Sequence, residues 1–314
     1  MPSITKDEIL RAVAEVMGEL PFPDYTCGVP ETMLHLIPRL WPSLSSGGRL
    51  LDIGCGQMDK TAVFQKLGLD CHALDDLTDE WHSWGNNQER ILQFAEQQGI
   101  RFHLGETGES VPFEEGSFDV VTLFDIIEHL HESPRGILNV AGRFLKPEGT
   151  LCVTMPNSVN LRKRLSVLRG KTSYPPVEQF YLTPRAWRGH VREYTLDEAA
   201  YIVRETGFEI LDAATFEPMA NKKLGPVTRH VFLAVGQAFP NFRSGLCVIG
   251  RKPKAWLPAS CNEPAYLKAV SRFQTLAESK TSAFQIAAGG SGLQDDACHA
   301  DFRAPLSAAQ GVRP

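Results

Sequence analysis

The first chemistry the sequence offers is a ligand loop. Residues 50–59 read LLDIGCGQMD, a buried strand running into two glycines and then a helix start. Gly54 and Gly56 allow a turn whose dihedrals other residues resist, and they let a ligand come close to the backbone. The next strand ends in Asp75 and Asp76, where a carboxylate can accept two hydrogen bonds from ribose hydroxyls. Asp75 is nearer the strand end and is preferred, with Asp76 as the alternative. Further along, Glu128 and His129 directly follow an apolar strand, and His190 and Tyr194 lie in or beside the loop GHVREYT. Histidine exchanges protons near neutral pH, so His129 and His190 are the candidate catalytic bases. Each has a plainer reading: His129 as a histidine holding a loop carbonyl, His190 as a loop hydrogen-bond partner, and an isolated GxG as a tight turn without a ligand.

These groups need strand ends and helix starts to hold them. Apolar runs predict strands over Leu50–Ile53, Asp70–Leu74, Ile100–Leu104, Phe118–Phe124, Thr150–Met155, Phe208–Ala213 and Leu246–Gly250. Helical spacing predicts helices between them, and two more over 4–19 and 31–40. Punctuation agrees: Asp59 can cap a helix stopping at Gly68, Asn86 with Glu89 resembles a capping box ending at Gly99, and Ser133–Pro134 opens 135–145. Thr195 with Glu198 forms a second box, stopped by Gly207. One further helix is expected near Val227–Gln237, and another over Pro264–Ser279. The alternation of strand and helix signals a parallel α/β sheet.

Composition narrows the class. The 314 residues are 43% hydrophobic and 22% charged, with 32 Lys and Arg against 37 Asp and Glu, a net charge of −5. That balance supports a sizeable core and argues against a stable nucleic-acid partner. Seven cysteines without a CxxC pair suggest reduced thiols, with Cys71, Cys152 and Cys247 in strands. The N-terminus reads as an amphipathic helix with acidic residues rather than a signal peptide, and no run is long enough to span a bilayer. The expected compartment is cytoplasmic. The expected organisation is an N-terminal helical cap over 1–45, a main α/β domain over 46–254, and a C-terminal extension over 255–314 that is largely disordered.

With SVPFEEGSFDVVTLFDIIEHL (110–130), RFLKPEGTLCVTMPN (143–157) and GHVREYTLDEAAYIVRETGF (189–208) in register behind LLDIGCG, the chain resembles the class I S-adenosylmethionine-dependent methyltransferase superfamily. The likeness is greatest to the group with ubiquinone-pathway and glycan-modifying O-methyltransferases, and it covers about residues 45–215. The resemblance implies a Rossmann-like sheet of seven strands with helices on both faces, the seventh antiparallel, and S-adenosylmethionine as cofactor. It implies cofactor contacts at Asp52, Gly54, Cys55, Gly56 and Asp75, an adenine-contacting acid at Glu106 (or Thr107), and Phe124 and Asp125 beside the sulfonium. Met58 stands where a third glycine is common. In some relatives an acid, a Glu-His pair and a later His bind a divalent metal that orients hydroxyls; Asp125, Glu128, His129 and His190 stand at comparable places, Asp125 being shorter than the usual glutamate. Many relatives carry the Glu-His pair without metal, so no metal ligand is assigned from sequence.

Methyl transfer from a sulfonium is an in-line displacement that needs alignment, desolvation and, for an alcohol, a base. The expected acceptor is a glycan, nucleotide-linked sugar, lipid or other small hydroxyl compound, a glycan being slightly favoured by the basic stretch NLRKRLSVLRGK at 160–171. That stretch also reads as a solvated helix packed through its leucines, or as a peripheral membrane contact. A dinucleotide-dependent oxidoreductase would want a third glycine at Asp59, whose charge would repel a pyrophosphate. A catalytically inactive cofactor-binding partner subunit is the alternative from another class.

Overall fold

The computed structural model describes residues 3–26, 28–44, 47–105, 113–184, 186–218, 225–262, 264–268 and 270–271. Residues through Ala259 form one compact unit, and Ser260 begins a second, in which residues 264–268 are helical. Residues 270 and 271 are helical as well; residues 269 and 272–279 of the expected helix and the expected disordered tail lie outside the described residues, as do Glu106 and Thr107.

The first unit runs α1 (Lys6–Glu19), α2 (Val29–Leu40), β1 (Arg49–Ile53), α3 (Thr61–Lys66), β2 (Asp70–Asp75), α4 (Asn87–Gln98), β3 (Arg101–Leu104) and β4 (Phe118–Phe124). It continues with α5 (Arg135–Phe144), β5 (Leu145–Pro156), α6 (Leu161–Leu168), α7 (Val177–Tyr181), α8 (Leu196–Glu205), β6 (Glu209–Phe216), α9 (Pro226–Ala238) and β7 (Gly245–Arg251). The strands make one sheet in the order β3-β2-β1-β4-β5-β7-β6. β7 is antiparallel to both neighbours and the other pairings are parallel, which is the Rossmann-like arrangement of seven strands that the sequence resemblance implies.

Strand alternation sends successive side chains to opposite faces. Leu50, Val120, Cys247 and Ile249 pack with α1 to α4, whose stripe includes Ile9, Val13, Val16, Met33, Leu36, Ile37, Phe64 and Phe94. Leu51, Ile53, Val121, Leu123, Leu246 and Val248 pack with α5 and α8 through Leu138, Ala141, Ala199 and Val203. The two N-terminal helices are thus part of one helical layer of the sandwich. Truncating a fully buried member such as Leu36 to Ala would cost roughly 2–5 kcal/mol.

Helix starts divide by what else competes for the capping side chain. Thr195 and Glu198 form the expected reciprocal box, and Thr5 with Glu8 forms another that opens α1. Asp59 does not cap α3: its carboxylate takes the hydroxyl of Thr26 and the backbone N–H of Lys60. Asn86 makes no side-chain cap, and Glu89 instead accepts from Gln93 one turn on. Pro134, expected at the first helical position of α5, stands one residue earlier as the cap. Cys55, Cys71, Cys152 and Cys247 are buried free thiols and Cys261 is exposed. Among the described residues no helix is long and apolar enough to cross a membrane.

Candidate active site

The sheet order places β1 between β2 and β4, so the crevice over the ends of β1 and β4 is the topological switch point where α/β sheets bind ligands. Gly54 and Gly56 line it with φ of 73° and 52°, the left-handed region. A Cβ on Gly54 would lie 2.2 Å from Ile126 Cδ1, whereas one on Gly56 would meet nothing within 4 Å. Gly54 is therefore required by packing and by its backbone, and Gly56 by its backbone beside open space. Asp75 closes the loop: Oδ2 accepts from the Gly56 N–H at 2.8 Å and Oδ1 from the Leu77 N–H at 2.7 Å. Burial raises its carboxyl above the ordinary range, against the pull of those two amides. Each oxygen keeps a further lone pair, enough for two ribose hydroxyls.

Non-glycine residues also take left-handed backbone here. Met58 (φ 60°), Leu77 (49°) and Asp125 (57°) lie just beyond the ends of β1, β2 and β4. Such conformations cost about 1–3 kcal/mol each and collect at functional sites. Met58 keeps the backbone that a third glycine would allow, and its side chain is fully buried.

The other expected cofactor residues divide. Asp52 is 1% exposed and does not present its carboxylate to the crevice. Thr61 Oγ1 donates to one oxygen and Thr122 Oγ1 to the other at 2.7 Å, tying α3 and β4 to β1. Burial, only partly offset by those hydroxyls, pushes its pKa up to about 7. Cys55 is buried beside Gly56, with its thiol raised by burial. Phe124 is buried and stacked parallel to Phe64, while Asp125 is half exposed at the crevice. The alternative acid, Asp76, caps its own turn at Thr78 and pairs with Arg188 at 3.6 Å.

The catalytic rim comes together across sequence. Glu128, His129 and His190 offer ligand atoms that all lie within 4.8 Å of one another. His129 Nδ1 lies 2.7 Å from the Arg188 carbonyl and His190 Nδ1 lies 2.7 Å from Glu193 Oε1. Both partners are acceptors, so each Nδ1 carries the proton and each Nε2 keeps a free lone pair. Burial first, then His129 and Lys163, pull the His190 pKa down to about 4, leaving a neutral imidazole. Glu128 is fully buried, and neither carboxylate oxygen has a hydrogen-bond partner. Burial and the Asp125 charge hold its carboxyl well above the usual range. A buried carboxyl with no hydrogen-bond partner, grouped with two imidazoles, offers a donor set that suits a divalent cation, which would displace the proton burial favours. Asp125 stands apart from this cluster, its Oδ1 taking the Thr154 hydroxyl at 3.3 Å. Tyr194 is buried in the core with its hydroxyl pKa raised by burial, which does not suit a base.

The segment after β5 walls the rim. The Val191 and Arg192 N–H groups donate to the Glu128 carbonyl, at 2.7 and 3.2 Å, and His131 Nε2 donates to the Trp187 carbonyl at 2.8 Å. This pinning shapes a cavity of about 520 Å³ lined by Tyr174, Val177, Phe180, Trp187, Val191 and His190, among others. The leucine stripe of α6 is not packed as expected: no residue of that helix is buried, and Leu168 is 81% exposed. The helix instead contributes Lys163, whose Nζ pairs with Glu193. Lys163 was read only as part of the basic stretch, and Glu193 and the cavity wall escaped the sequence reading; for Glu193, the acid three residues after His190 was the available signal.

The chain matches the methyltransferase domain family over residues 25–213. It is 26% identical over 187 residues to a ubiquinone biosynthesis O-methyltransferase of Thiobacillus denitrificans, covering 55% of this chain and 71% of the relative. It is 25% identical over 189 residues to the Burkholderia thailandensis protein of the same description, covering 56% and 72%. Among solved structures it resembles, in fold, a chain of the complex between the Haloferax volcanii Trm112 methyltransferase activator and a candidate methyltransferase. That match has a TM-score of 0.50 and 15% identity, and it covers 80% of this chain and all of that one. A glycine loop clamped by Asp75 at the switch point is what an adenosyl ligand needs, and the family match spans more than half of the sequence: the chain belongs to the methyltransferase domain family and is an S-adenosylmethionine-dependent methyltransferase.

Proposed function

We propose that the protein methylates a hydroxyl of a small molecule whose body is apolar or aromatic, with the hydroxyl held at Glu128, His129 and His190. The observation that carries this reading is the adjacency of that cluster to the cavity, with His190 belonging to both. Aromatic and aliphatic walls favour an apolar body over a sugar. The ubiquinone-pathway relatives, O-methyltransferases by description, support a hydroxyl acceptor. The basic stretch that pointed toward a glycan supplies Lys163 to Glu193, inside the protein rather than to an anionic substrate.

The cluster supports a divalent cation held by Glu128 and by the Nε2 atoms of His129 and His190. Such an ion would orient the hydroxyl and favour its deprotonated form. The protein's own contribution is the orientation of the two rings, set by the Arg188 carbonyl and Glu193. A neutral His190 with a pKa of about 4 is a ready ligand but a weak proton acceptor at neutral pH, which favours the cation over unaided base catalysis. Incubating the protein with methyl-labelled cofactor, Mg²⁺ and panels of phenols, apolar alcohols and glycans, then following label by mass spectrometry, tests the reading. Label on phenols or apolar alcohols is expected; label confined to glycans would overturn it.

A further inference from the structure

The loop from Trp187 to Arg192 touches both halves of the site. On the rim side its main chain is pinned: the Trp187 carbonyl takes His131, the Arg188 carbonyl takes His129 Nδ1, and the Val191 and Arg192 N–H groups donate to the Glu128 carbonyl. The turn folds round the Trp187 indole, whose Nε1 donates to the His190 carbonyl at 3.3 Å. A Cβ on Gly189 would lie 2.1 Å from the same ring, so glycine is what the closed turn accepts. The Arg188 side chain reaches the cofactor side. Its Nε lies 3.2 Å from Asp79 Oδ1 and its Nη2 3.6 Å from Asp76 Oδ1, both in the loop that leaves β2.

One residue thus orients a rim imidazole with its carbonyl and grips the loop after β2 with its guanidinium. We infer that Arg188 is a positioning residue that ties the rim to the cofactor loop, so that a cofactor held at Asp75 steadies His129 and His190. Asp76 is the neighbour of Asp75, and the Asp75 carboxylate fixes the left-handed Leu77 that follows. Asp76 in turn accepts from the Thr78 N–H at 2.9 Å. A ligand that fills the remaining lone pairs of Asp75 holds this turn, and both acids with it, in one place. The ion pairs to Arg188 then favour one placement of residues 187–192, which carry the rim. Arg188 is 53% exposed and Asp79 47%, so each pair is weak alone and opens readily. The chemical consequence rests on the rim reading above. The tie itself is read at backbone amides and needs neither cation nor acceptor, so failure of the cation reading leaves its test intact.

Hydrogen–deuterium exchange at the Val191 and Arg192 amides, followed by NMR with and without S-adenosylhomocysteine, tests the tie without turnover. In the wild type, saturating S-adenosylhomocysteine should slow exchange at these amides about 2–5-fold, the worth of exposed ion pairs. Arg188→Met should remove that slowing and weaken S-adenosylhomocysteine by no more than the same factor, because coupling between sites is reciprocal. Asp76→Asn combined with Asp79→Asn, which keeps an acceptor for the Thr78 N–H, should reproduce Arg188→Met. Joining the acid and arginine changes should add nothing further. Arg188→Lys should keep part of the slowing. Equal slowing in wild type and Arg188→Met would overturn the inference, as would no slowing in wild type that calorimetry shows to be saturated. So would an Arg188→Met variant that speeds exchange by the same factor with and without ligand, because the arginine would then only brace the loop.

Discussion

His190 Nδ1 donates to Glu193 Oε1 at 2.7 Å, and that contact turns the histidine's other nitrogen toward Glu128 and His129. The acid lies three residues on in sequence, with its second oxygen paired to Lys163 of α6. The imidazole is therefore held from behind by a partly buried ion pair. His190→Ala, which removes a proposed cation ligand, should depress turnover more than the roughly 10–100-fold that loss of a ligand's supporting partner costs. Glu193→Ala, which frees the ring without removing it, should cost about 10–100-fold. In both variants calorimetry should find S-adenosylhomocysteine affinity near wild type, because neither residue touches the glycine loop. A matching loss of cofactor affinity would show that the rim is part of the adenosyl site.

Gly56 gives the cleanest separation of binding from folding. Its φ of 52° penalises any β-branched residue, and a side chain there would enter the open space beside the loop. Gly56→Val should abolish detectable S-adenosylhomocysteine binding. The strain should lower the melting temperature by a few degrees, since about 1–3 kcal/mol is at stake at roughly 2–4 °C per kcal/mol. Retained binding would place the cofactor elsewhere.

Asp52 predicts a pH dependence of stability. Its folded pKa of about 7 lies above the ordinary 3.8, so the folded state holds the proton more tightly than the unfolded chain does. The stability it contributes is full below the unfolded value and is lost as pH rises through the folded one. Between pH 4 and 8 the wild type should lose up to about 4 kcal/mol relative to Asp52→Asn. Urea unfolding of both proteins at several pH values measures this, and parallel profiles would show that the carboxylate is ionised throughout.

What could be read in advance was what is local. Phe118–Phe124 was delimited correctly because a strand buried on both faces reads as an apolar run, interrupted here only by Asp119 and Thr122. The glycine loop and Asp75 were legible for the same reason, since strand, turn and strand end lie within one βαβ stretch. For Asp52, the side-chain alternation of a strand fixes a face but not what covers it. Its carboxylate takes the hydroxyls of Thr61 and Thr122, contacts that join distant segments. β5 begins at Leu145 rather than Thr150, because Leu145 pairs with Phe118 beyond a register shift that sequence does not mark. Arg188 with Asp76 and Asp79, Lys163 with Glu193, and the cavity wall depend on contacts between distant segments and carry no periodic signal.

The account turns on the orphaned carboxylate of Glu128 between two free imidazole nitrogens. Electron paramagnetic resonance of added Mn²⁺ tests it directly and needs no knowledge of the acceptor. The wild type should bind one ion per chain, with binding lost in Glu128→Ala and strongly weakened in His129→Ala and His190→Ala, while Asp125→Ala changes it little. No Mn²⁺ binding by folded wild type, or binding that Glu128→Ala leaves intact, would contradict the assignment.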